Sequence, residues 1–160
     1  MKRKFLVTGG TGFLGASLVK KLLREGHEVR VLDNESRGRR NRLAEVEGQF
    51  EMTTGDIREP FLVEQAAKGC DSVVHMAFIN GTEFFYSKPE LVLEVGVKGM
   101  VNVLDACKVN SIKDLILISS SEVYQEPPTI PTPENVPLII PDVHNPRYSY
   151  GGGKIISELL

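Results

Sequence analysis

Tyr150 and Lys154, four positions apart, open the last apolar-patterned segment of this chain of 160 residues. At that separation the two side chains share one face of a helix. An ammonium near a phenol favours the phenolate, which would draw the tyrosine from its ordinary value of about 10 toward neutrality. A phenolate so placed can take a proton from a substrate hydroxyl while hydride leaves the carbon that bears it. Ser120, within the run Ser119-Ser120-Ser121-Glu122-Val123-Tyr124, adds a hydroxyl suited to hold that substrate oxygen. Tyr-x-x-x-Lys alone recurs by chance, so its meaning rests on what else the chain carries. The glycines at 151 to 153 are poor helix formers, each costing up to about 1 kcal/mol relative to alanine. They suit a place where backbone passes close to a cofactor or a facing helix. Tyr124 and Tyr148 read as packing or loop residues.

The second feature with chemistry lies near the start, in Thr8-Gly9-Gly10-Thr11-Gly12-Phe13-Leu14-Gly15. Glycine at 9, 12 and 15 permits a tight turn, lets backbone approach a pyrophosphate, and packs a following helix on a sheet. The helix N-terminus then turns amide N–H groups and its positive dipole end toward the phosphates. A glycine triplet gains weight when it follows a strand, opens a helix and precedes a second strand ending in an acid, as here. That acid, Asp33, is placed to accept hydrogen bonds from the adenosine ribose, with Asn34 beside it. A 2′-phosphate would be repelled there, so NAD is favoured over NADP, although Arg37, Arg39 and Arg40 lie close by. Asp33 as a plain turn residue is the bland alternative.

Asp56 and Ile57 follow the third strand. In one reading Asp56 bonds an adenine amino group while Ile57 covers the ring; in the other, Asp56 caps the next helix, and both can hold at once. His75-Met76-Ala77 closes the fourth strand, at the carboxyl edge where open α/β sheets bind ligands. His75 itself reads as a packed core histidine, with no chemistry assigned.

The elements that must position these residues alternate in period, the mark of βαβ units and a parallel sheet. Strands are expected at 5–7, at 29–32 running into Asp33, near 50–53, and at 72–75 and 115–118. Helices are expected at 13–24 (closed by Gly26), at 59–67 (ended by Gly69), from Pro89 to about Val109, and at 148–160. Between Gln125 and Pro146 fall seven of the nine prolines, which exclude a long helix or a central strand. A loop of that length is usually functional or mobile.

Composition narrows the class. The chain is 41% hydrophobic and 25% charged, with a formal net charge of -2, close to an average globular domain. That balance offers no reason to expect nucleic acid or an anionic membrane as partner. Cys70 and Cys107 lack metal-ligand spacing and read as buried thiols of a reduced protein; no metal site is expected. The apolar run after Lys2 to Lys4 stops at Thr8, too short for a signal peptide, and no stretch suits a bilayer span. A cytoplasmic protein is the expectation.

Taken together, the glycine turn, Asp33, Asp56-Ile57, His75-Met76-Ala77, Ser120, Tyr150 and Lys154 resemble, in order, the extended short-chain dehydrogenase/reductases of the NAD-dependent epimerase/dehydratase family. The resemblance covers nearly the whole chain. It implies an α/β fold, a Rossmann-type doubly wound parallel sheet with helices on both faces, forming one domain over 1–160 and truncated before a C-terminal substrate lobe. It implies NAD that is reduced and reoxidised within one turnover, and a nucleotide-diphosphate sugar as substrate, oxidised at a hydroxyl such as that on C4. Tyr150 would be the base, with Lys154 also binding the nicotinamide ribose. The cofactor-lining set would comprise Gly9, Gly12, Phe13, Leu14, Gly15, Asp33, Asn34, Asp56, Ile57, Met76, Ala77, Phe78, Ser119, Tyr150 and Lys154. A homodimer through the long helix and the Tyr150 helix is a further implication.

The member of the family stays open. Ser120 to Tyr124 is similar to a stretch of UDP-glucuronate decarboxylases and GDP-mannose 4,6-dehydratases, in which Glu122 would remove a C5 proton. A 4-epimerase needs no such carboxylate, and Glu122 then only orders the loop. Gly96 and Phe78 depart from the family pattern, which usually has asparagine and a small residue there. The substitutions bear on helix geometry beside the tyrosine and on the nicotinamide or substrate pocket. A non-catalytic NAD-binding module is the reading from another class; the Ser120, Tyr150 and Lys154 set argues against it. The fragment by itself is expected to have little or no activity.

Overall fold

The computed structural model describes residues 1–160, which fall into two compact units: residues 1–77 with 98–118, and residues 78–97 with 119–160.

The first unit holds the sheet. Strands β1 (Lys4–Thr8), β2 (Glu28–Asp33), β3 (Glu51–Thr54), β4 (Ser72–His75) and β5 (Asp114–Leu117) are all parallel in the order β3-β2-β1-β4-β5. That is the order of the Rossmann doubly wound sheet through its fifth strand, with the reversal between β1 and β4. Period-two alternation sends Phe5, Val7, Val29, Val31 and Val74 to one face. There they pack with Ala16 and Val19 of α1 (Phe13–Arg24) and with Leu43 and Val46 of a 3₁₀ segment, Arg40–Val46. The opposite-facing positions Leu6, Leu32 and Val73 are equally buried. Helices α2 (Pro60–Ala67) and α5 (Gly99–Val109) belong to that side, and Ile57 packs into the space left open at Gly99. Arg30 of β2 donates to the carbonyls of Ala66 and Lys68, the free acceptors at the end of α2. Cys70 and Cys107 are buried free thiols, each pushed up by burial.

The second unit is helical. It contains α3 (Thr82–Ser87), α4 (Pro89–Leu93), short 3₁₀ turns at Ser121–Val123 and Pro146–Tyr148, and α6 (Ser149–Leu159). Its core is Phe85, Val92 and Tyr150, with Phe78, Ile79 and Phe84 packed against it.

The expected single helix from Pro89 to Val109 differs in detail. A π-helical stretch, Glu94–Lys98, stands between α4 and α5 and carries Gly96. A Cβ at Gly96 would lie 2.1 Å from Phe78 Cζ, so the backbone comes close to the ring where a side chain would block it. Helix α3 has no counterpart in the sequence pattern, because its six residues are too few to show a helical period. No helix is long and apolar enough to cross a membrane.

In the β1–α1 turn, backbone approaches backbone closely. A Cβ at Gly15 would stand 2.1 Å from the Gly9 carbonyl oxygen, whereas one at Gly12 would stand 3.0 Å from it. Gly15→Ala is therefore expected to lose about 1–3 kcal/mol of stability through overpacking, and Gly12→Ala less. Urea unfolding of both variants against wild type checks the ranking.

Candidate functional site

The cradle in the first unit is built at the carboxyl ends of β1, β2 and β4. Gly9 has a positive φ of 72°, and a Cβ there would come within 2.9 Å of the Ala77 backbone. Glycine at position 9 thus brings the end of β1 against the end of β4. Thr8 consolidates that approach from inside. Its buried hydroxyl accepts from the N–H groups of Met76 and Ala77 and bonds His75 Nδ1 at 2.8 Å. His75 is packed in the core, as its sequence context indicated.

Gly12 sits at the N-cap of α1 without a side-chain cap, and no acidic residue occupies the first turn. Lys21 and Arg24 lie in the last turn, complementing the other dipole end. Phe13 and Leu14 are 78% and 62% exposed, unusual for such residues at a helix start. Space that a Cβ would fill, uncapped helical amides and no competing carboxylate on the first turn suit a pyrophosphate.

Asp33 is 8% exposed, with one oxygen accepting from Thr11 N at 2.9 Å and the other from Glu35 N at 2.8 Å. It therefore locks the glycine turn to the end of β2, and each oxygen keeps a second lone pair for a ligand. The Thr11 hydroxyl is buried without a hydrogen-bond partner. Asn34 links Asp33 to the next strand tip by donating to Asp56 at 3.0 Å.

Asp56 does not cap α2; Glu59 holds the N-cap position. Instead Asp56 accepts from Arg58 N and from the Arg58 guanidinium, which holds its carboxyl below the usual range, assisted by Asn34. A turn two residues long satisfies the carboxylate before the helix begins. Ile57 is buried, and its carbonyl accepts from Asn102. Among the arginines weighed for a 2′-phosphate, Arg40 is paired with Glu47 and Arg39 donates its backbone N–H to Thr11 O.

The second unit gathers Phe78, Ser119, Ser120, Glu122, Tyr150 and Lys154. Ser120 is the N-cap of the 3₁₀ turn, accepting from Glu122 N, and its hydroxyl favours the charged form of the Tyr150 phenol. Ser119 donates to Glu158. The Tyr150 ring is stacked on Phe85 with centroids 5.3 Å apart and meets Phe78 edge-to-face at 5.0 Å. Lys154 is 2% exposed, with Nζ 4.3 Å from the Phe78 ring centroid and 5.9 Å from that of Tyr150.

The expectation that Lys154 draws the Tyr150 phenol toward neutrality needs correction. Burial pushes the phenol up; the Ser120 hydroxyl opposes this and the Glu122 carboxylate adds to it. Burial likewise pushes the Lys154 ammonium down, from the usual 10.5 to about 8, with Glu158 opposing. Both groups are thus moved toward their neutral forms, because burial removes the water that would solvate their charges.

Two contributors have no signal in the sequence. Arg147 forms a bidentate pair with Glu122 at 2.9 and 3.0 Å and lies over the Phe85 ring. Phe85 forms the stacked wall of Tyr150. Neither has a telling spacing, since both depend on α3, the element too short to show a period.

Comparison with known proteins agrees with this geometry. The model of the NAD dependent epimerase/dehydratase family matches residues 5–160. The chain is 32% identical to UDP-glucuronic acid decarboxylase 1 of Danio rerio, over 99% of this chain and 37% of that protein. It is 34% identical to a UDP-glucose 4-epimerase of Mycolicibacterium smegmatis, over 96% of this chain and 49% of that protein. The crystal structure of the Bordetella bronchiseptica enzyme WbmG in complex with NAD superimposes with a TM-score of 0.86 at 28% identity, covering 99% of this chain and 49% of that one. The chain therefore spans half or less of the length of these relatives.

The Lys154 shift has a measurable sign. Between about 8 and 10.5 the unfolded chain holds a proton at this lysine that the native chain has released, so stability rises with pH across that window. Lys154→Met removes the effect. The stability difference between wild type and Lys154→Met should move in favour of wild type, by on the order of 3 kcal/mol, as pH rises through that window. Urea unfolding of the two proteins across the pH series checks this, and a flat difference excludes it.

Proposed function

Because this chain belongs to the NAD-dependent epimerase/dehydratase family, we propose that it is the dinucleotide-binding part of an enzyme acting on nucleotide-diphosphate sugars. The reaction proposed is oxidation of a sugar hydroxyl, that on C4, to a transient ketone that is reduced again within the same turnover. NAD supplies the hydride acceptor and donor for that cycle. Tyr150 takes the hydroxyl proton, Ser120 holds the same oxygen, and Lys154 supplies positive charge beside the phenol and binds the nicotinamide ribose. The single observation that carries this reading is the burial of Tyr150 and Lys154 one turn apart on α6, with Ser120 acting on the phenol. A binding module has no use for such an arrangement.

In the first unit the glycine turn would hold the pyrophosphate, with Phe13, Leu14, Met76 and Ala77 beside it. Asp33 and Asn34 would meet the adenosine ribose, and Asp56 and Ile57 the adenine. Phe78 and Ser119 complete the proposed cofactor-lining set. NAD is proposed over NADP because Asp33 is fixed at the end of β2 by two backbone N–H groups, while Arg40 is engaged with Glu47. The enzyme is proposed to be cytoplasmic and homodimeric, the exposed Leu93, Ile156 and Leu159 offering apolar contact surface.

The 4-epimerase outcome is favoured over a 4,6-dehydratase or decarboxylase-like outcome by the state of Glu122. Both its oxygens are taken by Arg147, which suits a residue ordering the loop. Proton removal at C5 by Glu122 would first require that pair to open.

Two outcomes follow for the full-length protein. Tyr150→Phe should lose about 10²–10⁴-fold in sugar turnover while NAD affinity changes little. Steady-state kinetics with calorimetric NAD titration checks this, and retained turnover rejects Tyr150 as the base. NADP should bind at least about tenfold more weakly than NAD, a difference of about 1.4 kcal/mol. Competitive titration reads it, and equal affinity rejects the role given to Asp33.

A further inference from the structure

Three observations converge on Phe78. A Cβ at Gly96 would lie 2.1 Å from Phe78 Cζ, and one at Gly153 would lie 2.9 Å from the same atom. The two helical segments that carry these glycines therefore leave room for the ring only because both positions lack a side chain. The face of the ring lies under Lys154, with Nζ 4.3 Å from its centroid, inside the range of about 6 Å for a cation–π contact. Its edge meets Tyr150 at an interplanar angle of 80°, the favourable edge-to-face arrangement.

Filling a gap in a core needs only apolar volume, which an aliphatic side chain supplies without two glycines to admit it. A ring face under a buried ammonium does something more. Lys154 is 2% exposed, and a desolvated cation gains most from the negative face of an aromatic ring.

We infer that Phe78 is a positioning residue for the Tyr150–Lys154 pair, its face seating the ammonium and its edge fixing the phenol, with Gly96 and Gly153 admitting the ring. The inference deepens the reading of that pair as the proton-transfer machinery and rests on it. Other groups acting on the pair include Glu158 on Lys154, and Ser120 and Glu122 on Tyr150; the variants below keep all three.

The ring face favours the ammonium over the free amine, so removing it must lower the pH at which Lys154 titrates. NMR titration of isotope-labelled lysine in the full-length protein reads this directly, the Lys154 signal being identified by its loss in Lys154→Met. Phe78→Leu keeps an apolar side chain but no aromatic face. Gly96→Ala keeps the phenylalanine and displaces its ring. Both are expected to lower the Lys154 titration by about half a pH unit or more. In the double variant Gly96→Ala should add little, because the ring it displaces is already gone. Circular dichroism establishes that each variant is folded. A Lys154 titration that is unchanged or raised in Phe78→Leu overturns the inference, and so does full additivity in the double variant.

In steady-state kinetics Phe78→Leu should lose about tenfold or more in kcat with KM nearly unchanged, and the alkaline limb of the pH profile should move with the lysine. If wild type turns over no nucleotide sugar, the proposed function fails while the lysine titration still reports on the Phe78 contact. The two ideas thus fail separately.

Discussion

Helix α1 can start against the tip of β1 only because Gly15 presents nothing but hydrogen to the Gly9 carbonyl oxygen, at a position where a Cβ would be 2.1 Å away. Much of the first unit follows from that approach. With the turn this tight, the first amides of α1 are left without a side-chain cap, and Phe13 and Leu14 project to the outside. The neighbouring strand ends are drawn in by polar contacts that share the same few residues. Thr8 ties β1 to β4 through Met76 and Ala77, and Asp33 ties the end of β2 to the turn through Thr11. Asn34 passes the connection to Asp56 beyond β3. A single backbone constraint is thereby converted into a row of strand ends presenting N–H groups and carboxylates, the form of site that a dinucleotide requires.

The second unit solves a different problem. A phenol and an ammonium are buried among aromatic rings, and burial drives each toward its uncharged state. The proton abstraction proposed for Tyr150 needs the opposite. Ser120 already pulls in that direction, and a cationic nicotinamide beside the phenol would pull further. Burial of Lys154 has a complementary consequence: an amine titrating near 8 is sensitive to small changes in its surroundings in a way that a solvated lysine is not. The aromatic walls are consequently part of the electrostatics, since the Phe78 ring lies 4.3 Å from the Lys154 nitrogen.

Much of the sheet unit was legible from periodicity and punctuation. Helix α1 spans the expected 13–24, and each strand lies within a residue or so of its expected position. Glycines at 26 and 69 end helical segments with positive φ, as their positions after α1 and α2 suggested. These features are local, so adjacent residues carry them. The helical unit was less legible. Helix α3 is too short for a period to emerge, and the π-helical stretch at Glu94–Lys98 accompanies a ring sixteen positions or more away along the chain. Asp56 as a cap follows from its place before a helix, yet the adjacent Arg58 supplies a closer partner.

The candidate site divides along the same line. Which residue types are proposed to carry the chemistry, and in what order, was determined by the sequence itself: Gly9, Gly12, Gly15, Asp33, Ser120, Tyr150 and Lys154 stand at spacings set by the strand, turn and helix that hold them. Their protonation and restraint were decided only by tertiary packing. Phe78, Phe85 and Arg147 come from separate segments, the rings packing on Tyr150 and Arg147 holding Glu122, and it is the loss of water around Tyr150 and Lys154 that chiefly moves the pair. Spacing along a helix brings two groups to one face, whereas desolvation depends on everything that covers that face, and no local pattern encodes it.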